Sequence, residues 1–380
     1  KMSDSIFASY QNAQLSMAAY ATLSTGISPT DYINALKFAG MSDSQATRFA
    51  NEYTIVAPTY TDATGLAVTV FRNNETNEVT LAIRGTTDII DLLADAQLLL
   101  GGAARAQIVS LYNYVQRLIT PAGQSAVQVE DVAPDIDPIT GYINDPGGIR
   151  TTTSATGLGY LAGASGVTVT GHSLGGHLAA AASYLFPTLI GTTDTYNAPG
   201  FSLSYAEALL DQFPGSATAF PTTITNLVAE VGATIIPNVG SLPGTPRNIY
   251  IEDQGPGIPG NHGIAPLTDA LAIYNLLATL DPTLNTNPAT AIPKITDILK
   301  AAAGTPGQSL ENTLDSLRTL FQQNYATSTA NGNAAPTFVN DRNDFYTKLY
   351  GLQTYLKTTP FYNSTTQSFS FTVDKLTNMG

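Results

Sequence analysis

VTVTGHSLGGHLAAAASYL, residues 167–185, decides how the rest of the chain is read. Val167 to Thr170 favour a strand, and after Gly175 an Ala- and Leu-rich stretch without β-branched residues favours a helix. Between them Gly171-His172-Ser173-Leu174-Gly175 makes the sharp turn, with glycines where a larger side chain would collide with the neighbouring strand or helix. G-x-S-x-G alone is a weak signal, because glycine and serine are both common here. Its position between strand and helix makes it a candidate nucleophile elbow with Ser173 exposed at the turn.

Composition bounds what surrounds that turn. A chain of 380 residues, 43% hydrophobic and 12% charged, can bury a substantial core in one large or two modest domains. A net charge of −13 argues against nucleic acid, whose binding needs Lys and Arg against phosphates, and against adsorption to anionic membranes by charge. Any contact with lipid has to be apolar. The sequence has no cysteine, so no disulfide or thiolate metal site exists, and neither a metal nor a cofactor is expected. No apolar run reaches the length of a transmembrane segment, and Lys1 to Tyr20 lacks the apolar core of a signal peptide, so export would use a signal lost or placed elsewhere. Richness in Ala, Thr, Gly and Asn leans toward a secreted, extracellular bacterial protein.

Along the chain, Ile6 to Tyr20 reads as a helix with Ser3 or Asp4 as cap, followed by a short helix near Asp31 to Phe38. Tyr53 to Val56, Leu66 to Phe71 and Val79 to Ile83 read as strands, the last two joined as a hairpin across Asn73 to Thr76. Ala106 to Leu118 is an amphipathic helix. Residues 124–165, rich in Asp, Pro, Gly and Thr, are too long for an ordinary connection and read as an insertion or a lid. After the elbow helix, Thr192 to Asn197, Thr222 to Val228 and Asn248 to Ile251 are strands, with a helix at Tyr205 to Phe213 and another from Pro266; the alternation implies a parallel sheet. The core is expected to span residues 1–280, and residues 281–380, with helical patterns at 295–302, 310–321 and 344–356, form a helical extension.

A serine hydroxyl needs a base, most often an imidazole oriented by a carboxylate. Of three histidines, His172 points away from an elbow serine and His177 sits one helical turn along, aimed poorly at it. His262, in a Gly- and Pro-rich loop after the last strand, is the base by elimination, and the order nucleophile, acid, histidine fits an α/β-hydrolase. Glu230, just past the strand at 222–228, is the first choice of acid; Asp194 and Asp253 are the alternatives if the strand count is off by one.

LAIRGTTDIIDLLADAQL, VTVTGHSLGGHLA, TYNAPGF and NHGIAPLTDALAIY, together reaching from about Tyr10 to Leu277, resemble the class 3 (fungal lipase-like) family of α/β-hydrolases, in what look like bacterial members. The resemblance implies an oxyanion hole from Thr86 and the amide of Leu174, with Asp95 holding the Thr86 hydroxyl. Two departures stand out: the family normally uses aspartate where Glu230 is offered, and Leu92 replaces the usual aromatic residue ahead of Asp95, so the lid of the well-known lipases does not carry over. The implied chemistry is hydrolysis of acyl esters, most directly of lipids, through an acyl-Ser173 intermediate with a lipid or ester partner. An esterase on small soluble or polymeric esters shares the same triad, and a broad apolar rim would favour the lipid reading. A non-catalytic surface or adhesion module on a hydrolase core would be favoured by loss of His262 or Thr86, and both are present.

Overall fold

The computed structural model describes residues 5–86, 103–230, 240–252, 261–302, 309–321 and 339–373. Its centre is a sheet of strands β1 (Tyr53–Thr61), β2 (Ala67–Asn73), β3 (Val79–Ile83), β8 (Val167–His172), β9 (Ile190–Tyr196), β10 (Ile224–Ala229) and β11 (Thr245–Ile249), in the spatial order β1-β2-β3-β8-β9-β10-β11. β1 and β2 pair antiparallel, as do β2 and β3; from β3 to β11 every pairing is parallel. This is the mostly parallel sheet of an α/β-hydrolase fold, with helices on both faces and a helical C-terminal extension. Successive side chains alternate faces, so Leu81 and Ile83 enter one hydrophobic core while Ala82 enters the other.

On one face lie α4 (Ala103–Ile119) and α5 (Leu174–Leu185), with Leu111, Val115, Leu118 and Leu178 packed on Val68, Val70 and Val169. The other face carries α1 (Ile6–Ala18), capped by the Ser5 hydroxyl, which accepts from the Ala8 amide at 3.1 Å, and α7 (Ile264–Leu280). Asn12 of α1 donates to Asp194 of β9 at 2.8 Å, locking helix to sheet. Because α7 is apolar on every side, it must be covered all round. The cover comes from α2 (Pro29–Phe38), α3 (Asp43–Glu52), α8 (Pro288–Ala302), α9 (Ser309–Phe321) and α10 (Val339–Leu356), whose Ile295, Leu299, Leu314, Leu349 and Leu352 join the same core as Leu271 and Leu276. Buried Asp269 of α7 accepts from the guanidinium of Arg342 of α10 at 2.8 and 2.9 Å and from the Tyr346 hydroxyl at 2.6 Å.

Three elements differ from their sequence reading. β1 continues to Thr61 through Pro58, tolerated because β1 is an edge strand with its register broken between Ala57 and Tyr60. α8 begins at Pro288 and runs through Pro293, where the sequence places a start at Ile295. Residues 124–165 contain an antiparallel ribbon, β4 (Ser125–Val132) with β7 (Gly148–Thr156), tipped by the short pair β5 (Asp135–Ile136) and β6 (Ile143–Asp145). Asp, Pro and Gly at the tip hide its stem, where Ala126 is buried between exposed neighbours and the bulge that follows puts Gln128 and Val129 inside together.

Candidate active site

The turn after β8 has the strain its sequence demands. Ser173 adopts φ 56°, ψ −129°, the left-handed side of backbone space that L-residues rarely occupy, immediately before the first residue of α5. A Cβ on Gly171 would lie 2.3 Å from the Gly175 carbonyl, and one on Gly175 would lie 2.2 Å from the Ile83 oxygen, so the elbow closes only with glycine at both places. The second contact presses the end of β3 against α5, bringing Arg84-Gly85-Thr86 alongside the serine: a Cβ on Gly85 would sit 3.2 Å from Ser173 Cβ. Leu174 is the first residue of α5, where an amide has no acceptor within its own helix. Gly85, followed by Thr86, and the Leu174 amide thus lie next to the serine in the chain or in space.

His262 lies just ahead of α7, and its position is fixed through its backbone. Its carbonyl accepts from His172 Nε2 at 2.8 Å and from Asn197 Nδ2 at 3.0 Å. Because a carbonyl only accepts, the His172 proton sits on Nε2, and Nδ1 receives the Tyr20 hydroxyl at 2.8 Å. Tyr20 in turn accepts from the Gly85 amide. A continuous chain of hydrogen bonds thus links the loop before Thr86 to the loop of His262, through the histidine beside the nucleophile. Asn197, itself at φ 47°, closes the other side by accepting from the Ala229 amide at 2.8 Å. Neither Tyr20 nor Asn197 stood out in the sequence as a site residue. A tyrosine in a helical pattern reads as core, and only the TYNAPGF stretch hinted at Asn197.

The rings of His172 and His262 are 5.0 Å apart. Burial, reinforced by the neighbouring His172, draws the His262 imidazole down to about 3, so it is neutral and can take a proton at ordinary pH. The Ser173 hydroxyl and both His262 ring nitrogens have no hydrogen-bond partner among the described residues, and both side chains are buried. No hydrogen bond joins the two side chains. His177 turns elsewhere, stacked on Phe201 at 3.9 Å with Nδ1 3.4 Å from the Pro199 oxygen. Burial lowers its imidazole to about 4.

Among the described residues the candidate carboxylates are dispersed. Glu230 follows β10 as expected from the sequence, but its carboxylate accepts from Lys300 of α8 at 2.7 Å near the surface. Asp194 is held by Asn12 inside the sheet. Asp253 and Asp95 lie outside the described residues. No cluster of side chains fit to hold a metal occurs among the described residues, and no described helix is long and apolar enough to cross a membrane.

No protein-family model matches the sequence, and no curated protein is significantly similar to it. Among solved structures, the Lip2 lipase of Yarrowia lipolytica is 14% identical over 64% of this chain and 77% of its own, with a TM-score of 0.36. A lipase from Rhizopus microsporus var. chinensis is 17% identical over 64% and 75%, with a TM-score of 0.35. A triacylglycerol lipase from Penicillium expansum is 13% identical over 64% and 79%, with a TM-score of 0.32. Likeness at that distance has no bearing on chemistry, and the order and direction of the strands carry the fold assignment by themselves.

Proposed function

We propose that the protein is a serine ester hydrolase acting on acyl esters of lipids, with Ser173 as nucleophile and His262 as base. The observation that carries this reading is the strained backbone of Ser173 between β8 and α5, walled by glycines and faced by Gly85. Strain of this kind is tolerated where the orientation of one side chain is needed; Ser173 is buried, not exposed as its place at the turn suggested. In the first half-reaction Ser173 Oγ adds to the ester carbonyl carbon as its proton passes to His262, and the new oxyanion is met by the Leu174 and Thr86 donors. The carbon–oxygen bond to the alcohol then breaks, and the alcohol leaves with the proton from His262. Water repeats the sequence on the acyl-serine and frees the acid.

Of the candidate acids, Glu230 already accepts from Lys300 through one oxygen, and Asp253, outside the described residues, stays the alternative. The lipid preference follows from the resemblance of the motifs and from an acidic chain whose approach to lipid must be apolar. A secreted location fits such a substrate. Short and long p-nitrophenyl esters, a triglyceride and a phospholipid, assayed with the wild type and Ser173→Ala, test the reading. Hydrolysis that rises with acyl length and vanishes in Ser173→Ala is expected; activity retained in the variant contradicts it.

A further inference from the structure

The ribbon of β4 and β7 ends in an apolar tip that no described element covers. The C-terminal end of α4 is fixed to the stretch leading into β8, since the amides of Leu158 and Leu161 donate to the carbonyls of Arg117 and Leu118. The other end of α4 therefore lies toward the edge of the sheet where β8 delivers Ser173. β4 runs back along α4, with the Val129 amide donating to Asn113 Oδ1 at 2.8 Å and Arg105 bonded to Asp131 at 2.5 Å. The ribbon thus points its tip toward the catalytic edge. There Ile139 is 92% exposed, Tyr142 69%, Ile143 55% and Ile136 51%.

This tip is built, not frayed. Asp137 Oδ1 accepts from the Ile139 and Thr140 amides at 2.8 and 2.9 Å, and the Asp137 amide donates to the Tyr142 carbonyl at 2.8 Å. Those amides hold the Asp137 carboxyl below the usual range, leaving Ile139 as the apex of a fixed turn. Between Ala133 and Ile149 there is no Lys or Arg, and Arg150 is paired with Asp145. A surface rich in anions would be repelled by this tip. An uncharged hydrocarbon layer beneath outward-facing quaternary ammonium groups suits it: isoleucines enter the layer while the exposed Asp135 and the Tyr142 ring meet the cations.

We propose that the tip, Ile136 to Ile143, is a docking element that inserts into choline-headed, zwitterionic lipid surfaces and sets the catalytic edge against them. This rests on the ester hydrolase reading and extends it to where the enzyme works. Binding is measured in the Ser173→Ala background, so it is read without turnover. Flotation with phosphatidylcholine vesicles should carry the protein up, phosphatidylglycerol vesicles should carry less, and adding Ile139→Asp should lower partitioning at least tenfold. With Ser173 intact, Ile139→Asp should keep hydrolysis of p-nitrophenyl acetate within about twofold. The chain has no tryptophan, so Ile139→Trp supplies a lone probe whose emission should shift to the blue with phosphatidylcholine. No partitioning of the parent, equal partitioning of Ile139→Asp, preference for phosphatidylglycerol, or an Ile139→Asp effect confined to breaking a dimer in sedimentation would each overturn the proposal. Failure of the hydrolase reading would show separately, as ester cleavage surviving Ser173→Ala.

Discussion

Tyr20 is the residue through which the proposed site is most directly tested by a small change. Its hydroxyl accepts from Gly85 and donates to His172, which holds the carbonyl of His262, so one oxygen ties the stretch before Thr86 to the loop of His262. Tyr20→Phe should lower kcat roughly tenfold with KM nearly unchanged, the cost of about 1–2 kcal/mol for a buried hydrogen bond that positions reacting groups. An equal loss in KM would mean that the chain shapes binding instead. The base itself makes a second prediction. With its imidazole lowered by burial to about 3, the acid limb of kcat/KM should fall well below the ordinary histidine value of 6.5. A carboxylate on the ring would pull that limb back up. Since Glu230 is engaged by Lys300, Glu230→Gln should cost less than tenfold in kcat. A thousandfold loss would show that the carboxylate leaves Lys300 during turnover. The turn at Ser173 and the place of His177 one helical turn along could be read from spacing alone, because an elbow and a helical turn are local geometry. The partner of Glu230 could not, because Lys300 meets it only once α8 has folded back onto β11.

At the level of elements, the strand, turn and helix around Ser173 were legible because each is specified by a few adjacent residues. The glycines there admit a strict test. Gly175→Ala would drive a Cβ into the Ile83 carbonyl, and neither the helix nor the central strand can yield, so a loss of about 3 kcal/mol or more is expected in urea unfolding. Unfolding near the wild-type midpoint would mean that the β3 end lies farther from α5 than described. The β4–β7 ribbon was less legible. Its stem alternates as a strand should, but a bulge after Ala126 shifts the period, and the Pro- and Gly-rich tip reads as loop. Its contact with α4, through Asn113 and Arg105, is long-range information that no window of sequence contains.

Across the whole molecule, the C-terminal helices close the core around α7, and their attachment carries its own pH dependence. Glu252, at the end of β11, accepts from the Leu310 amide at 2.7 Å and from Ser309, while Glu311 of α9 lies against it. Burial raises both above the ordinary carboxylate value of 4.5; the Glu252 charge raises Glu311 further, while a hydrogen bond with Glu311 works against the rise of Glu252. The folded pair holds protons that the unfolded chain gives up, so its contribution is full below that value and drains away as pH climbs through the raised values. Buried His172, His177 and His262 act in the opposite sense: lowered to about 4, 4 and 3, they cost stability as pH falls below the unfolded histidine value of 6.5. Melting temperature should therefore decline on both sides, and Glu311→Gln should flatten the alkaline side alone. The −13 net charge, the parallel sheet and the helical C-terminal stretch were readable from composition and periodicity, whereas the burial of these carboxyls depends on which helix covers which strand. All of these arrangements matter to function only if Ser173 is a live nucleophile. The most direct measurement is labelling of the intact protein with a fluorophosphonate, followed by mapping of the modified residue by mass spectrometry. The account predicts one adduct, on Ser173, abolished in His262→Ala; labelling elsewhere, or none in a folded and catalytically competent sample, would contradict it.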